Sequence, residues 1–238
     1  MTVEDLIRDN DLDGVKRWTL EGGKDISPIC QQNIIKCAIE YENREIFEYL
    51  IKHYNFDINE SVNPFRNSLL VDMLEIGHII SFDFILYLFD YVKDINALNG
   101  QPYTALHKAI DIYSKIMMDG DNSSEIYKNV IIELLKRGAN PIINLNMSVM
   151  VVVADNMLDI LKLFVQYSQI DITWEALMIS IRLDNYDFVE YLVTQINDIN
   201  KRGEEGLTLL HIAQGVLVPN PDIIELLLYN GAIHQPIR

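Results

Sequence analysis

The tripeptide Asp-Ile-Asn, or a close variant of it, recurs along the chain at intervals typical of repeat proteins. It stands at five places: Asp25-Ile26-Ser27, Asp57-Ile58-Asn59, Asp94-Ile95-Asn96, Asp171-Ile172-Thr173 and Asp198-Ile199-Asn200. The first two gaps are 32 and 37 residues and the last is 27. The 77-residue gap from Asp94 to Asp171 fits two units, with Ala139-Asn140-Pro141 at the missing end. Such a period predicts stacked copies of one small unit.

Each tripeptide follows a stretch with the apolar periodicity of an amphipathic helix. Adjacent apolar pairs are spaced along one face, as in Ile46-Phe47 with Leu50-Ile51 and Phe188-Val189 with Leu192-Val193. A second apolar stretch lies upstream and has a small residue in it, as in residues 106–109 and 210–213. Small residues let two antiparallel helices approach closely. Each unit is therefore predicted to be a helix, a short turn, a second helix and a polar turn segment.

Two junctions between units resemble the ankyrin repeat. One runs from Asp198 through Gly206-Leu-Thr208-Leu-Leu-His211-Ile-Ala213 and ends near Gly231-Ala232. The other runs from Asp94 through Thr104-Ala-Leu-His107-Lys-Ala109 and ends at Gly138-Ala139-Asn140. The chain is therefore identified as a member of the ankyrin-repeat family. The resemblance implies an all-α solenoid of stacked antiparallel helix pairs with projecting turns.

We expect a single ankyrin-repeat domain over residues 1–238. Its seven units are predicted at residues 1–27, 28–60, 61–97, 98–143, 144–172, 173–201 and 202–238. Three of them carry insertions, near residues 79–82, 111–128 and 218–221. Insertions in repeat proteins map to surface loops, so we expect loops at all three places.

Charge narrows the class of partner. The chain has 35 acidic residues against 19 Lys and Arg, a formal net charge of −16 that both halves share. Nucleic acid and anionic membranes are bound through clustered cations, so both are disfavoured as partners. The acidic first residues do not resemble a signal peptide, and the longest uncharged run, residues 138–154, is too polar to span a bilayer. We expect a cytoplasmic protein, monomeric in isolation, with a basic protein as its partner.

Acidic residues stand near the end of the first helix in successive units. They are Asp9, Glu40, Glu75, Asp111, Asp155 and Asp184, and Glu42 adds to the second unit. Acids at a helix C-terminus oppose the macrodipole, so helix stability does not explain them. In the ankyrin family the first helices and the turns form a concave groove, and these acids are therefore predicted to form an acidic ribbon along it. The alternative is a chance alignment of polar surface residues.

The projecting turns supply the other candidate contacts. They are Gln101, Tyr103, Trp174, Glu204, Glu205 and Leu207. Tyr and Trp anchor interfaces because they give a large contact area for few rotamers. The alternative for Tyr103 and Trp174 is packing between neighbouring turns.

No catalytic, cofactor or metal site is predicted. His107 and His211 each follow Thr-x-Leu, and the resemblance implies that such Thr and His side chains bond neighbouring turns. The run from Asp9 to Gly14 copies the start of a calcium loop, but Leu20 stands where the loop needs its closing Glu. Cys30 and Cys37 fit no metal or redox spacing and are expected to be buried free thiols.

The sequence thus predicts a non-catalytic protein–protein interaction module whose acidic concave face binds a basic protein. One concrete version is an inhibitor or immunity protein that neutralises a toxin or nuclease. The alternative is an ankyrin adaptor or pathogen effector that engages a host or regulatory protein.

Overall fold

The computed structural model describes residues 2–23, 25–59, 68–75, 80–98, 103–119, 124–203 and 205–236. These residues contain α-helices and no β-strand, which confirms the all-α prediction. The helices are α1 Val3–Arg8, α2 Leu12–Glu21, α3 Pro28–Glu40, α4 Arg44–Tyr54, α5 Leu69–Glu75, α6 Phe82–Phe89, α7 Ala105–Asp119, α8 Ser124–Lys136, α9 Ile143–Ala154, α10 Leu158–Tyr167, α11 Thr173–Arg182, α12 Tyr186–Val193, α13 Leu209–Gly215 and α14 Pro221–Tyr229.

Consecutive helices pack as pairs, from α1 with α2 to α13 with α14. The described residues form two compact units, one ending at Arg137 and the other beginning at Gly138. In the N-terminal unit α1, α3, α5 and α7 contact one another in chain order, and in the C-terminal unit α9, α11 and α13 do the same. Each unit is therefore a layer of first helices backed by a layer of second helices. The single domain expected over residues 1–238 stays a prediction.

The core of each unit lies where the apolar pairs predicted it. Ile46, Phe47 and Leu50 of α4 are fully buried, and so are Phe188 and Val189 of α12. Small residues stand where two helices pack closely: Ala38, Ala109 and Ala213 are each no more than 2% exposed. Burial of these apolar faces between neighbouring helix pairs is the main stabilising contribution, as in other repeat proteins.

In each helix pair of the described chain, the second helix has an acidic residue in its first turn. The second residue of each of these helices is an acid: Asp13, Glu45, Asp83, Glu125, Asp159, Asp187 and Asp222. A carboxylate in the first turn interacts favourably with the positive end of the helix dipole, by about 0.3–1 kcal/mol at an exposed site. Helix stability therefore accounts for part of the acidic composition.

The insertion predicted as a loop at residues 111–128 is mostly helical. α7 continues to Asp119 and α8 begins at Ser124, while residues 120–123 lie outside the described chain. The loop prediction is wrong here because residues 112–118 contain neither Gly nor Pro and keep a helical apolar spacing that buries Tyr113. The insertion near residues 218–221 does form a loop before α14, in which Leu217 is 99% and Val218 79% exposed.

Among the described helices, none combines the length and the apolarity that crossing a bilayer requires.

Candidate functional site

The repeated tripeptide forms one turn and links neighbouring repeats. Its Asp side chain accepts a 2.9 Å hydrogen bond from the backbone N–H two residues on, at Asp57, Asp94, Asp171 and Asp198. Asn200 then donates to the carbonyl of Gly231 and accepts from the N–H of Ile233, both at 2.9 Å. In the N-terminal unit Asn59 donates to the carbonyl of Asp94. The tripeptide is therefore a structural element.

A second set of bonds joins the turns between paired helices. The turn residues Asn10, Glu42, Asn156 and Asp184 have left-handed backbones with φ of 50–57°. Each side chain accepts a bond from the residue that caps the next second helix: Asn43 to Asn10 at 2.5 Å, Ser81 to Glu42 at 2.9 Å, Asn185 to Asn156 at 3.3 Å and Asn220 to Asp184 at 2.6 Å. Glu42 and Asp184, both predicted to contact a partner, thus have bonding partners within the fold.

Five of the six acids of the predicted ribbon lie at or within two residues of the end of a first helix, and Asp111 does not. Glu40 and Glu75 are the last residues of α3 and α5, whereas Asp111 lies in the middle of the lengthened α7. Asp155 follows α9 as its C-terminal cap, and Asp184 lies one residue beyond the cap of α11. The prediction of a helix end is therefore wrong for Asp111, because α7 continues to Asp119. The role of these acids in binding stays a prediction.

Lysines offset the acids on the first-helix layer of the N-terminal unit. The Nζ of Lys108 lies 2.5 Å from a carboxylate oxygen of Glu75 and 3.7 Å from one of Asp111. Lys115 lies 2.8 Å from Asp111, and this hydrogen bond raises the pKa of the lysine. Glu40 has Lys36 at 4.0 Å. This surface carries both acidic and basic side chains, so its electrostatic potential is less negative than the acids alone would make it.

The predicted turn contacts differ in exposure. Tyr103 is 41% exposed and meets the ring of His107 edge-on at 6.3 Å between centroids. Glu205 is exposed and Leu207 is half-buried. Gln101 and Glu204 lie outside the described residues.

Trp174 is buried between turns. It is 9% exposed, and its indole N–H donates to the carbonyl of Lys201 at 3.2 Å. A Cβ at Gly203 would collide with the tryptophan ring. These contacts favour packing over partner contact, the second of the two alternatives for this residue.

The two Thr-x-x-His stretches cap their helices. The backbone N–H of Thr104 donates to Nδ1 of His107 at 3.1 Å, and that of Thr208 donates to Nδ1 of His211 at 3.0 Å. His211 also bonds the carbonyl of Gln235 through Nε2 at 2.6 Å, which assigns the ring proton to Nε2. His211 therefore bonds a neighbouring segment, as the resemblance implies, and His107 bonds Thr104 at the start of its own helix.

The remaining candidates for chemistry have structural roles or ordinary surroundings. Asp11 of the calcium-like run caps α2 by accepting from the N–H of Gly14 at 2.8 Å. No cluster of possible metal ligands occurs within the described ranges. Both cysteines are free, but Cys30 is exposed and Cys37 half-buried, so the expectation of two buried thiols is wrong. Burial raises the pKa of Cys37.

Sequence reasoning missed an acidic and aromatic surface on α12 and α14. Asp187, Glu190, Asp222 and Glu225 are exposed there, and none has an ion pair within the part of the chain that is described. Tyr186 and Tyr229 lie beside them, 37% and 88% exposed. The spacing of Asp222, Glu225 and Tyr229 in the sequence could have indicated this surface, because it places the three residues on one face of a helix.

Comparisons with known proteins identify the repeat. Residues 149–236 match the family model described as Ankyrin repeats (3 copies). The fold is similar to the crystal structure of the ankyrin repeat domain of Bcl-3, described as a unique member of the IkappaB protein family. That likeness has a TM-score of 0.59 and 18% identity over 96% of this chain and 98% of that chain, so it shows the fold alone. The sequence matches no curated protein. The prediction of ankyrin repeats is confirmed over residues 149–236 by the family model, and the fold of the chain agrees with it.

Proposed function

We propose that this ankyrin-repeat protein binds a basic protein partner stoichiometrically and performs no catalysis itself. The ankyrin-repeat fold supports a protein–protein interaction module. Specificity in such a scaffold lies in exposed side chains, so the choice of partner depends on the surface. The concrete version is an inhibitor or immunity protein that covers the cationic site of a toxin or nuclease. In this proposal the protein is cytoplasmic and is monomeric before it meets its partner.

The observation that carries the proposal is the set of unpaired carboxylates on α12 and α14. The helix dipole explains Asp187 and Asp222, which lie in the first turns of their helices. It does not explain Glu190 and Glu225, which lie further along the helices and are exposed. Neither has a cation within ion-pair distance among the described residues.

Like charges on one surface repel each other and lower the stability of the free protein. A cationic partner removes that repulsion, so carboxylates without an internal counterion fit a binding role better than a structural one. Exposed apolar residues in the same C-terminal unit, Leu217 and Val218, add area that a partner can bury.

The predicted first-helix acids Glu40, Glu75 and Asp111 are expected to contribute less to partner binding than the carboxylates on α12 and α14. Their lysine neighbours already satisfy part of their charge, so each contributes less to attraction of a basic protein. Tyr103 and Glu205, which are exposed, stay proposed partner contacts.

Affinity capture from the source cell tests the proposal. Tagged wild-type protein is compared with the variant Glu190→Lys plus Glu225→Lys at low and high salt. A basic protein is expected in stoichiometric amount with the wild type at low salt, and its recovery is expected to fall with the variant and with high salt. Recovery of an acidic partner, or recovery that neither change reduces, would overturn the proposal.

A further inference from the structure

A surface groove of about 340 Å³ lies between α12 and α14. Its lining residues are Tyr186, Asp222, Glu225, Leu226 and Tyr229. Tyr186 is the first residue of α12, and the other four belong to α14. Because Asp222, Glu225 and Tyr229 are spaced by three and four residues, they share one face of the helix.

The chemistry of this groove suits a cation. The face of a tyrosine ring attracts a positive charge, and two carboxylates add Coulomb attraction and hydrogen-bond acceptors. No lysine or arginine lines the groove, and neither carboxylate is ion-paired within the described ranges. Leu226 gives the groove an apolar contact for the stem of a long side chain.

A surface of the N-terminal unit also combines aromatic rings with a carboxylate, and there the chain itself supplies the guanidinium. There the guanidinium of Arg44 lies over the ring of Tyr87, 4.8 Å from its centroid, and over that of Phe84 at 5.9 Å. The hydroxyl of Tyr87 donates to the carboxylate of Glu48 at 2.8 Å. That set of ring, carboxylate and guanidinium is complete within the fold. The groove between α12 and α14 has the rings and the carboxylates and lacks the guanidinium.

We propose that this groove binds an arginine side chain of a basic protein partner. The guanidinium lies against the exposed ring of Tyr229 and is paired with the carboxylates of Asp222 and Glu225. Arginine fits better than lysine because its planar group stacks on a ring and presents several N–H donors at once, whereas the lysine ammonium is a strongly hydrated point charge. This assignment rests on the proposed function, whose partner is basic, and deepens it by naming the side chain that is recognised.

Two short peptides of equal length, one oligo-arginine and one oligo-lysine, test the groove. Each carries a fluorophore and is titrated with the full chain at low salt, with anisotropy as the signal. The arginine peptide is expected to bind roughly two- to fivefold more tightly, which is the range of an exposed cation–π contact. Tyr229→Leu is expected to remove that preference, because it weakens the arginine peptide more than the lysine peptide. Glu225→Gln is expected to weaken both peptides.

Tyr41→Leu is the matched control. Tyr41 is 51% exposed, but the groove that it lines also contains Arg8 and Arg44. The positive charge of these two arginines disfavours binding of a cationic peptide there. This variant is expected to bind both peptides as the wild type does. Circular dichroism of each variant checks that helix content is unchanged.

Equal affinities for the two peptides, or an unchanged preference in Tyr229→Leu, would overturn the groove assignment. Failure of both peptides to bind would overturn it as well. The affinity capture decides the proposed function independently: a basic partner that is recovered and lost on charge reversal sustains that function even when the peptides show no preference for arginine.

Discussion

The side-chain amide of Asn220 donates a 2.6 Å hydrogen bond to the carboxylate of Asp184. Asp184 lies in the turn after α11 with a left-handed backbone, and Asn220 caps α14 in the next repeat. One contact therefore joins the turn within one helix pair to the start of the second helix in the following pair. It gives a structural role to an acid that the sequence assigned to partner binding.

Asp184→Ala is expected to destabilise the protein by about 1–2 kcal/mol, because it removes the charged acceptor of the hydrogen bond from Asn220. Alanine also tolerates the left-handed backbone less well than aspartate, whose side chain can form local hydrogen bonds. Asp184→Asn keeps an acceptor and tolerates that backbone, so its stability should stay close to that of the wild type. Chemical denaturation of the three proteins measures the difference. Equal stability of Asp184→Ala and the wild type would show that the contact between repeats contributes nothing.

Gly203→Ala is expected to destabilise the protein by about 1–3 kcal/mol, because its new methyl group would collide with the ring of Trp174. Trp174→Phe should also lower stability, since it removes the indole donor to Lys201 and part of the buried ring. Thermal unfolding measures both effects. A control is Gly215→Ala, where a new methyl group would have no neighbour within 4 Å. If Trp174→Phe instead lowers the affinity for the partner and leaves the melting temperature unchanged, Trp174 contacts the partner.

Thr173→Val is expected to lower stability by about 1 kcal/mol at neutral pH. The hydroxyl and the backbone N–H of Thr173 donate to Asp171 and hold the pKa of that carboxyl below its ordinary value of 3.8. A lowered pKa in the folded state stabilises the protein above the ordinary pKa, and this contribution is lost as pH falls through the folded-state value. The difference between variant and wild type should therefore shrink in that acidic range. A difference independent of pH would show that the hydroxyl acts through packing alone.

Lys108→Met is expected to strengthen binding of a basic partner about two- to threefold at low salt, and to have no effect at high salt. The substitution removes the cation shared by Glu75 and Asp111 and so leaves their charge available. Titration of the captured partner at both salt concentrations measures the change. Weaker binding at low salt would mean that Lys108 itself contacts the partner.

Much of the fold could be predicted because the repeat motifs encode backbone contacts. The Asp of four of the five tripeptides bonds a nearby N–H, and Thr208 with His211 caps a helix, so these residue types mark positions that can be aligned. The insertion after Asp111 was predicted less well, since its helix-forming residues lengthen two helices where a loop was expected.

The surface was harder to predict because exposed residues have no such constraint. Glu42 and Asp184 look like free acids in the sequence, and only the stacking of repeats brings Ser81 and Asn220 to them. Tyr186 and Tyr229 belong to different repeats and approach one groove only when α12 packs on α14.

The most direct test of the account compares two charge reversals in a titration against the captured basic partner. Glu190→Lys plus Glu225→Lys alters the surface of α12 and α14, and Glu40→Lys plus Glu75→Lys alters the first-helix layer of the N-terminal unit. Both raise the net charge of the chain by the same amount, so a difference between them reports position. We expect the first pair to weaken binding at least about tenfold more than the second pair, which corresponds to ~1.4 kcal/mol. Equal losses, or a larger loss from Glu40 and Glu75, would contradict it.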